Sequence, residues 1–318
     1  MKLAIVSPCY NESEVLPESV KRMVDLMDGL VGKGKVSPDS FILFVNDGSQ
    51  DETWTIISSF YKSTPYVCGV NLAKNVGHQN AIMAGMMIAK DMSDAVITID
   101  ADLQDDLNAI EEMVDCYKNG YDIVYGVKIS READSFFKKH TAITFYKLQQ
   151  LMGIKAIHNH ADFRLLSRRA LQQLALYEER NLYLRGIIPM LGFPSTTVDD
   201  VISQRTAGKS KYTFSKMLGL AMDGITSFSI KPITWILTAG FFFLFVSIVM
   251  TIYILFAYIE HAAVPGWTSL MLSLWFIGSI VLLAIGVVGQ YIGKIYIEIK
   301  KRPLYTVETF LIDKNKQK

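Results

Sequence analysis

The stretch Asp100-Ala101-Asp102-Leu103-Gln104-Asp105 crowds carboxylates and an amide into one short segment. Carboxylates two residues apart at the end of a strand point the same way. They repel unless a cation lies between them, and hard oxygen ligands favour Mg²⁺ or Mn²⁺. With Gln104 two residues on and Asp105 beside it, the spacing predicts a clamp for a metal that holds a diphosphate. A lone D-x-D recurs by chance, so its weight comes from position: it follows an apolar run, as do two more polar turns. Pro8-Cys9-Tyr10-Asn11-Glu12 follows the first such run and Asn46-Asp47-Gly48-Ser49 the second. Asp47-Gly48-Ser49 also fits a plain turn with a helix cap, a common use of those residues.

Basic groups lie further along. Lys128 and Arg131 follow a fifth apolar run, Asp162-Phe163-Arg164 opens another apolar segment, and Arg205 precedes Lys209-Ser210-Lys211. Arg and Lys near an acidic metal mouth suit phosphate groups. A solvated loop drawn to lipid headgroups accounts for Lys209 and Lys211 as well. His158-Asn159-His160 has no third ligand at a recognisable spacing and reads as a loop histidine pair. Cys9, Cys68 and Cys116 are few, odd in number and widely spaced, which excludes a disulfide framework or a zinc pattern.

The elements that must position these groups alternate. Apolar runs at Leu3–Ser7, Phe41–Val45, Val67–Leu72, Ala95–Ile99 and Tyr121–Tyr125 predict strands. Between them, Glu14–Leu30, Asp51–Tyr61, His78–Lys90 and Asn108–Asn119 predict helices. Strand, helix, strand at this period predicts βαβ units and a mostly parallel α/β sheet, whose ligands bind at the carboxyl ends of the strands. The three polar turns then form one mouth.

The rest of the chain departs from a soluble enzyme. Half of its 318 residues are hydrophobic, and they are pooled. Ile233–Tyr258 and Thr268–Gly293 carry no charge, and each is long enough as a helix to span a bilayer. Pro265-Gly266 lies in the turn between them, so they predict a two-helix transmembrane hairpin. Its loop has no Lys or Arg, whereas Lys216 and Lys231 precede the first span and Lys294, Lys300, Lys301 and Arg302 follow the second. Positive flanks face inward, which places both termini and the catalytic candidate region in the cytoplasm at the inner (plasma) membrane. The N-terminal apolar stretch is too short for a signal peptide. Apolar positions in Tyr212–Phe228 recur at helical spacing and predict an amphipathic helix lying in the membrane interface. Ser135–Met152 fits an interface helix or one packed on the globular core equally. Gly286, Gly289 and Gly293 allow close helix contact, within the hairpin or in a homo-oligomer. The expected organisation is a catalytic domain at 1–211, an interface helix and linker at 212–232, the hairpin at 233–293 and a basic tail at 294–318. A formal net charge of +1 argues against a nucleic-acid binder.

Taken together, PCYNE, VNDGSQDET, KNVGHQNA, DADLQDD, ADFRLLSR, RTAGKSKY and KKRPLY resemble the polyisoprenyl-phosphate glycosyltransferases of glycosyltransferase family 2. In pattern they are most similar to bactoprenol glucosyltransferases, with dolichol-phosphate mannose synthases more distant. The resemblance covers nearly the whole chain. It implies a GT-A, Rossmann-like catalytic domain, a nucleotide-sugar donor, a divalent cation (Mg²⁺ or Mn²⁺) and a polyisoprenyl-phosphate acceptor in the membrane. Pro8, Tyr10, Glu12, Asp47, Lys74, Asp100, Ala101 and Asp102 would bind the nucleotide sugar. Asp100, Asp102 and Gln104 would hold the metal. Asp162 and Arg164 match a D-F-R motif whose Asp is the proposed base, with Asp102 completing the catalytic set. Lys128, Arg131, Arg205, Ser210 and Lys211 would contact donor or acceptor phosphates. Lys74 stands where Arg is usual, and Asn159-His160-Ala161 replaces a sequence that usually ends in Gly. A phosphate monoester has a second pKa of about 6 and is mostly dianionic at neutral pH, so Asp162 is expected to orient or desolvate as much as to take a proton. The same reaction with UDP-GlcNAc, GDP-mannose or a modified sugar stays open beside UDP-glucose. A processive polysaccharide synthase would add spans and a Q-x-x-R-W motif, neither of which is present, and a non-catalytic nucleotide-sugar-binding protein would not need the paired carboxylates.

Overall fold

The computed structural model describes residues 1–102, 104–129, 160–180, 182–201 and 266–312, with positions 233–236, 238, 240–242, 245 and 249. It divides into two units. The first comprises 1–150, 155–213 and 302–318, and the second 151–154 and 214–301.

The first unit is built on an eight-stranded sheet, ordered β7-β5-β6-β4-β1-β2-β3-β8. Its centre is the expected parallel set: β1 (Leu3–Cys9), β2 (Phe41–Asn46), β3 (Val67–Leu72) and β4 (Ala95–Thr98). These strands read as unbroken apolar runs because helices cover both faces. Leu3, Ile5, Ile42 and Phe44 join a core with α1 (Leu16–Gly32) and α4 (Ala109–Lys118), and Ile57 of α2 (Thr53–Ser63) belongs to the same core. On the opposite face α3 (His78–Ala89) lies tight against the sheet. A Cβ added at Gly85 would come within 2.4 Å of Val6 and 2.8 Å of Val45.

The sheet is mixed, with four parallel and three antiparallel pairings among the described residues. β6 (His160–Ser167) inserts between β4 and β5 (Ile123–Ile129) and runs antiparallel to both. The βαβ rhythm stops at β5, so the order of strands beyond it was not encoded in a spacing. β7 (Ser195–Val201) pairs parallel with β5, after α5 (Arg168–Leu174) and α6 (Leu184–Met190). β8 (Val307–Leu311) adds antiparallel to β3, so the stretch read as a basic tail supplies an edge strand. The D-F-R motif therefore sits inside the sheet, next to β4, which leads to Asp100.

In the second unit, α7 (Trp267–Lys300) is a 34-residue helix, about 51 Å long at 1.5 Å per residue. Among the described residues it contains the one helical stretch long and apolar enough to cross a membrane, Phe276–Lys300, and none of that stretch's apolar window is buried. Leu274, Ile277, Leu282, Ile285 and Ile292 are all exposed, so this is not the core helix of a soluble domain. The first expected span is represented by a shorter apolar helix, Ile233–Phe242, and 250–265 lies outside the described residues. Among the described residues the hairpin is not seen as a pair of spans. The amphipathic stretches 135–152 and 212–228 also fall outside the described residues.

Candidate active site

The loops after β1 and β2 are laced together by short polar side chains. Asn11 takes a left-handed conformation (φ 52°), which Asn tolerates better than most residues. Its Oδ1 accepts from the Gln50 amide at 2.9 Å, and its own amide donates to Ser49 Oγ at 3.0 Å. Glu12 N–H donates to Thr53 Oγ1 at 3.0 Å and Ser13 N–H to Asp51 Oδ2 at 3.1 Å. Burial would raise the Asp51 pKa, but the donors from Thr53 and Ser13 outweigh it and bring it down to about 2. Glu12 is half-buried, Pro8 is buried within β1, and Tyr10 stands 40% exposed at the rim.

Asp47 does something the sequence did not foretell. Its carboxylate accepts from Val76 N–H at 2.7 Å and Gly77 N–H at 3.1 Å, so it holds the loop that carries Lys74. That loop crosses Gly48, which has φ +62°. A Cβ there would lie 2.5 Å from Asn75 N, so only glycine fits. Lys74 itself is exposed.

At the end of β4, Asp100 and Asp102 are half-exposed, while Ala101 is buried and its carbonyl accepts from Ser19 Oγ of α1 at 2.5 Å. Asp102 Oδ1 accepts from the Gln104 amide at 3.3 Å. Desolvation raises the Asp100 pKa, and the charges of Asp162 and Asp102 add to the rise against His78 and Lys128. Asp105 is buried and pushed up to about 7, first by burial and then by Asp100. Lys128, expected on phosphate, reaches Asp105 at 3.2 Å. Asp200 of β7 is fully buried, accepts from the Asp106 amide at 2.8 Å and leaves Oδ2 without a partner.

Among the described residues, no three His, Cys, Asp or Glu side chains converge as a cage for a metal ion. The oxygen donors present nonetheless fit a hard divalent cation. Mg²⁺ is commonly held by one or two carboxylates together with substrate phosphates, and Asp100 and Asp102 are two half-exposed carboxylates at one mouth.

Asp162 is compensated from three sides. Arg164 Nη2 donates to its Oδ1 at 2.5 Å, Arg185 donates Nε to Oδ1 at 3.2 Å and Nη2 to Oδ2 at 3.0 Å. His78 Nε2, at the first residue of α3, lies 3.5 Å from Asp162 Oδ2 and 3.5 Å from Asp100 Oδ1. Burial alone would raise the Asp162 pKa; His78, Arg185 and Arg164 reverse this and hold it well below the ordinary carboxylate range. Arg164 is itself fully buried in the sheet, with Nη1 left unpartnered.

The fold thus brings Asp100, Asp102, Gln104 and Lys128 to the same sheet end as Asp162 and Arg164. Arg131, Arg205, Ser210 and Lys211 lie outside the described residues. His78, Arg185 and Asp200 were missed. His78 stood in the K-N-V-G-H-Q-N-A segment, where the turn before a helix was its one available signal. Arg185 in N-L-Y-L-R-G had none.

A family model described as glycosyl transferase family 2 matches residues 4–175, more than half of the chain. The chain belongs to that family. This glycosyltransferase is 47% identical over 96% of its length to the uncharacterized glycosyltransferase YkoT of Bacillus subtilis (strain 168), covering 91% of that protein. It is 36% identical to the SfII prophage-derived bactoprenol glucosyl transferase of Shigella flexneri, over 97% of this chain and 98% of that one. The prophage bactoprenol glucosyl transferase homolog of Escherichia coli (strain K12) is 37% identical over 97% of this chain and 99% of its own. The likeness runs through the apolar helix as well as the sheet.

Proposed function

We propose that this glycosyltransferase moves a hexose, glucose from UDP-glucose, onto undecaprenyl (bactoprenol) phosphate at the cytoplasmic membrane face, giving a polyprenyl-monophosphate sugar for surface glycan modification. The observation that carries the reading is the 36% identity to a bactoprenol glucosyl transferase over 97% of the chain, apolar C-terminal part included. A polyprenyl chain stays in the bilayer, so its enzyme must bring the site to the headgroup plane. The exposed apolar helix α7, with Lys300 and Lys301 at its end, supports a membrane-bound reading. We assign 233–258 and 268–293 as two spans with both termini inside.

The donor's nucleotide would lie over the β1 and β2 loops with Tyr10 at the rim, and its diphosphate at Asp100 and Asp102. A divalent ion held by Asp100, Asp102 and Gln104 would supply Lewis-acid neutralisation of the leaving diphosphate. The acceptor phosphate, dianionic at neutral pH, attacks the anomeric carbon from the face opposite the leaving group and inverts it. Little work is left for a general base. The depressed pKa of Asp162 supports this: it stays ionised and orients Arg185 and His78 toward the reacting phosphates. Rate gain then comes from positioning and preorganised charge. The outer acceptor contacts are assigned to Arg131, Arg205, Ser210 and Lys211.

Purified protein with undecaprenyl phosphate, Mg²⁺ or Mn²⁺ and a panel of labelled nucleotide sugars tests the reading. A single acid-labile glycolipid formed from UDP-glucose is expected. Donor hydrolysis without lipid product, or a polymeric product, would contradict it.

A further inference from the structure

After α7 the chain comes back to the edge of the sheet. β8 pairs Val307 with Leu72, Thr309 with Asn71, Phe310 with Val70 and Leu311 with Gly69, and the register shifts between Asn71 and Leu72. The shift leaves Glu308 as the extra residue on β8, so it is β8 that carries the irregularity. The 73–77 loop follows β3, and the segment before β8 and the residue after β2 hold it from two directions. The Ala73 amide donates to Thr306 O at 2.9 Å. Asn71 Nδ2 donates to Glu308 Oε2 at 2.7 Å, while Asn71 Oδ1 accepts from Asn46 Nδ2 at 2.6 Å. Asn46 is 2% exposed and immediately precedes Asp47, whose carboxylate holds the amides of Val76 and Gly77. The loop is thus fixed at its start by the C-terminal segment and at its end by Asp47. It carries Lys74, passes over Gly48 and delivers His78 to Asp100 and Asp162.

We propose that the C-terminal strand is a positioning element of the donor site, with Glu308 as its positioning residue. The Asn71 amide can present either end toward Asn46, and only one end accepts. Glu308 takes the NH₂ end and leaves the Asn71 oxygen facing Asn46. The relay Glu308–Asn71–Asn46 sets the chain just before Asp47 and so the height of the loop over the mouth. The inference rests on reading the 74–78 segment as part of the donor mouth, and it deepens that reading. The segment that follows the apolar helix thereby becomes a part of the donor site rather than a tail.

The test compares Glu308→Ala and Glu308→Gln in the full chain, in lipid nanodiscs. Gln keeps an acceptor oxygen and Ala does not. In the Ala variant, the amides of Ala73, Val76 and Gly77 should exchange with solvent on the order of ten-fold faster, with β1 amides and thermal midpoint unchanged. The donor KM should rise roughly five-fold with kcat within about two-fold, the signature of lost uniform binding. Glu308→Gln should restore both. Unchanged exchange in the Ala variant would overturn the proposal. So would faster exchange without a change in donor KM, a Gln variant as defective as Ala, or faster exchange spread over all of β1–β3 with a lower midpoint. The exchange measurement needs no donor, so a wild type that fails to use UDP-glucose would count against the donor assignment and leave the positioning role to be decided by exchange.

Discussion

Two carboxylates at one end of the sheet, Asp105 buried and Asp162 half-buried, meet opposite fates. Asp105 is pushed up to about 7 by burial and the charge of Asp100, opposed among the described residues by Lys128. Asp162 is held well below its ordinary range because His78, Arg185 and Arg164 surround it. Burial does not set the charge of such a group; the number of cations within reach does. The mouth therefore has an acidic half around Asp100 and Asp102, where carboxylates outnumber cations, and a basic half around Asp162, where guanidinium groups hold a carboxylate in place. An arrangement of this kind suits a substrate that brings a cation with its diphosphate on one side and a bare phosphate on the other.

The largest expected effect breaks the acidic half. Asp102→Ala should cut metal-dependent transfer by roughly 10³-fold, read as glycolipid formed per minute at saturating Mn²⁺. Arg185→Ala attacks the basic half and should lower kcat on the order of 10²-fold with donor KM little changed, since it removes preorganised charge. Gly48→Ala leaves both halves chemically intact but lifts the loop that joins them. A forced positive φ and a backbone clash should cost about 1–3 kcal/mol, visible as a lower thermal midpoint and a higher donor KM.

The smallest effect sharpens the contrast through pH. A carboxyl raised to about 7 in the folded state binds a proton there that the unfolded chain has already lost. Its stabilisation is full below the ordinary pKa of about 4 and is lost as pH rises through about 7. Wild-type stability should fall over that window, and Asp105→Asn should flatten the fall, measured as thermal midpoint against pH. Asp162 has the opposite sign: its depressed pKa stabilises the fold above pH of about 4, and that contribution disappears below it as the pH falls through the folded value.

Elements with a repeating local pattern were legible in the sequence. The parallel strands β1 to β4 and the helices between them form where apolar runs and turn residues placed them, within a residue or two. β6, β7 and β8 were not. β7 reads S-T-T-V-D-D-V, which buries Asp200 where alternation would put an apolar side chain, and β8 is an exposed edge strand following a basic stretch. Their places are set by pairing with distant strands, which leaves no local signature. The site divides in the same way. Asp100, Asp102, Asp162 and Arg164 were visible in motifs, each beside its own strand. His78 and Arg185 gain their meaning from Asp162, which lies far from both in sequence and meets them only because β6 inserts beside β4.

The claim that Asp162 is an ionised anchor rather than a base is tested most directly by the pH dependence of kcat/KM for sugar transfer, in wild type and Asp162→Asn. A limb near pH of about 6 should come from the second ionisation of the acceptor phosphate and persist in the variant, whose rate is lower at every pH. A limb between about pH 5 and 8 that is present in wild type and absent in Asp162→Asn would make Asp162 the base and contradict the account.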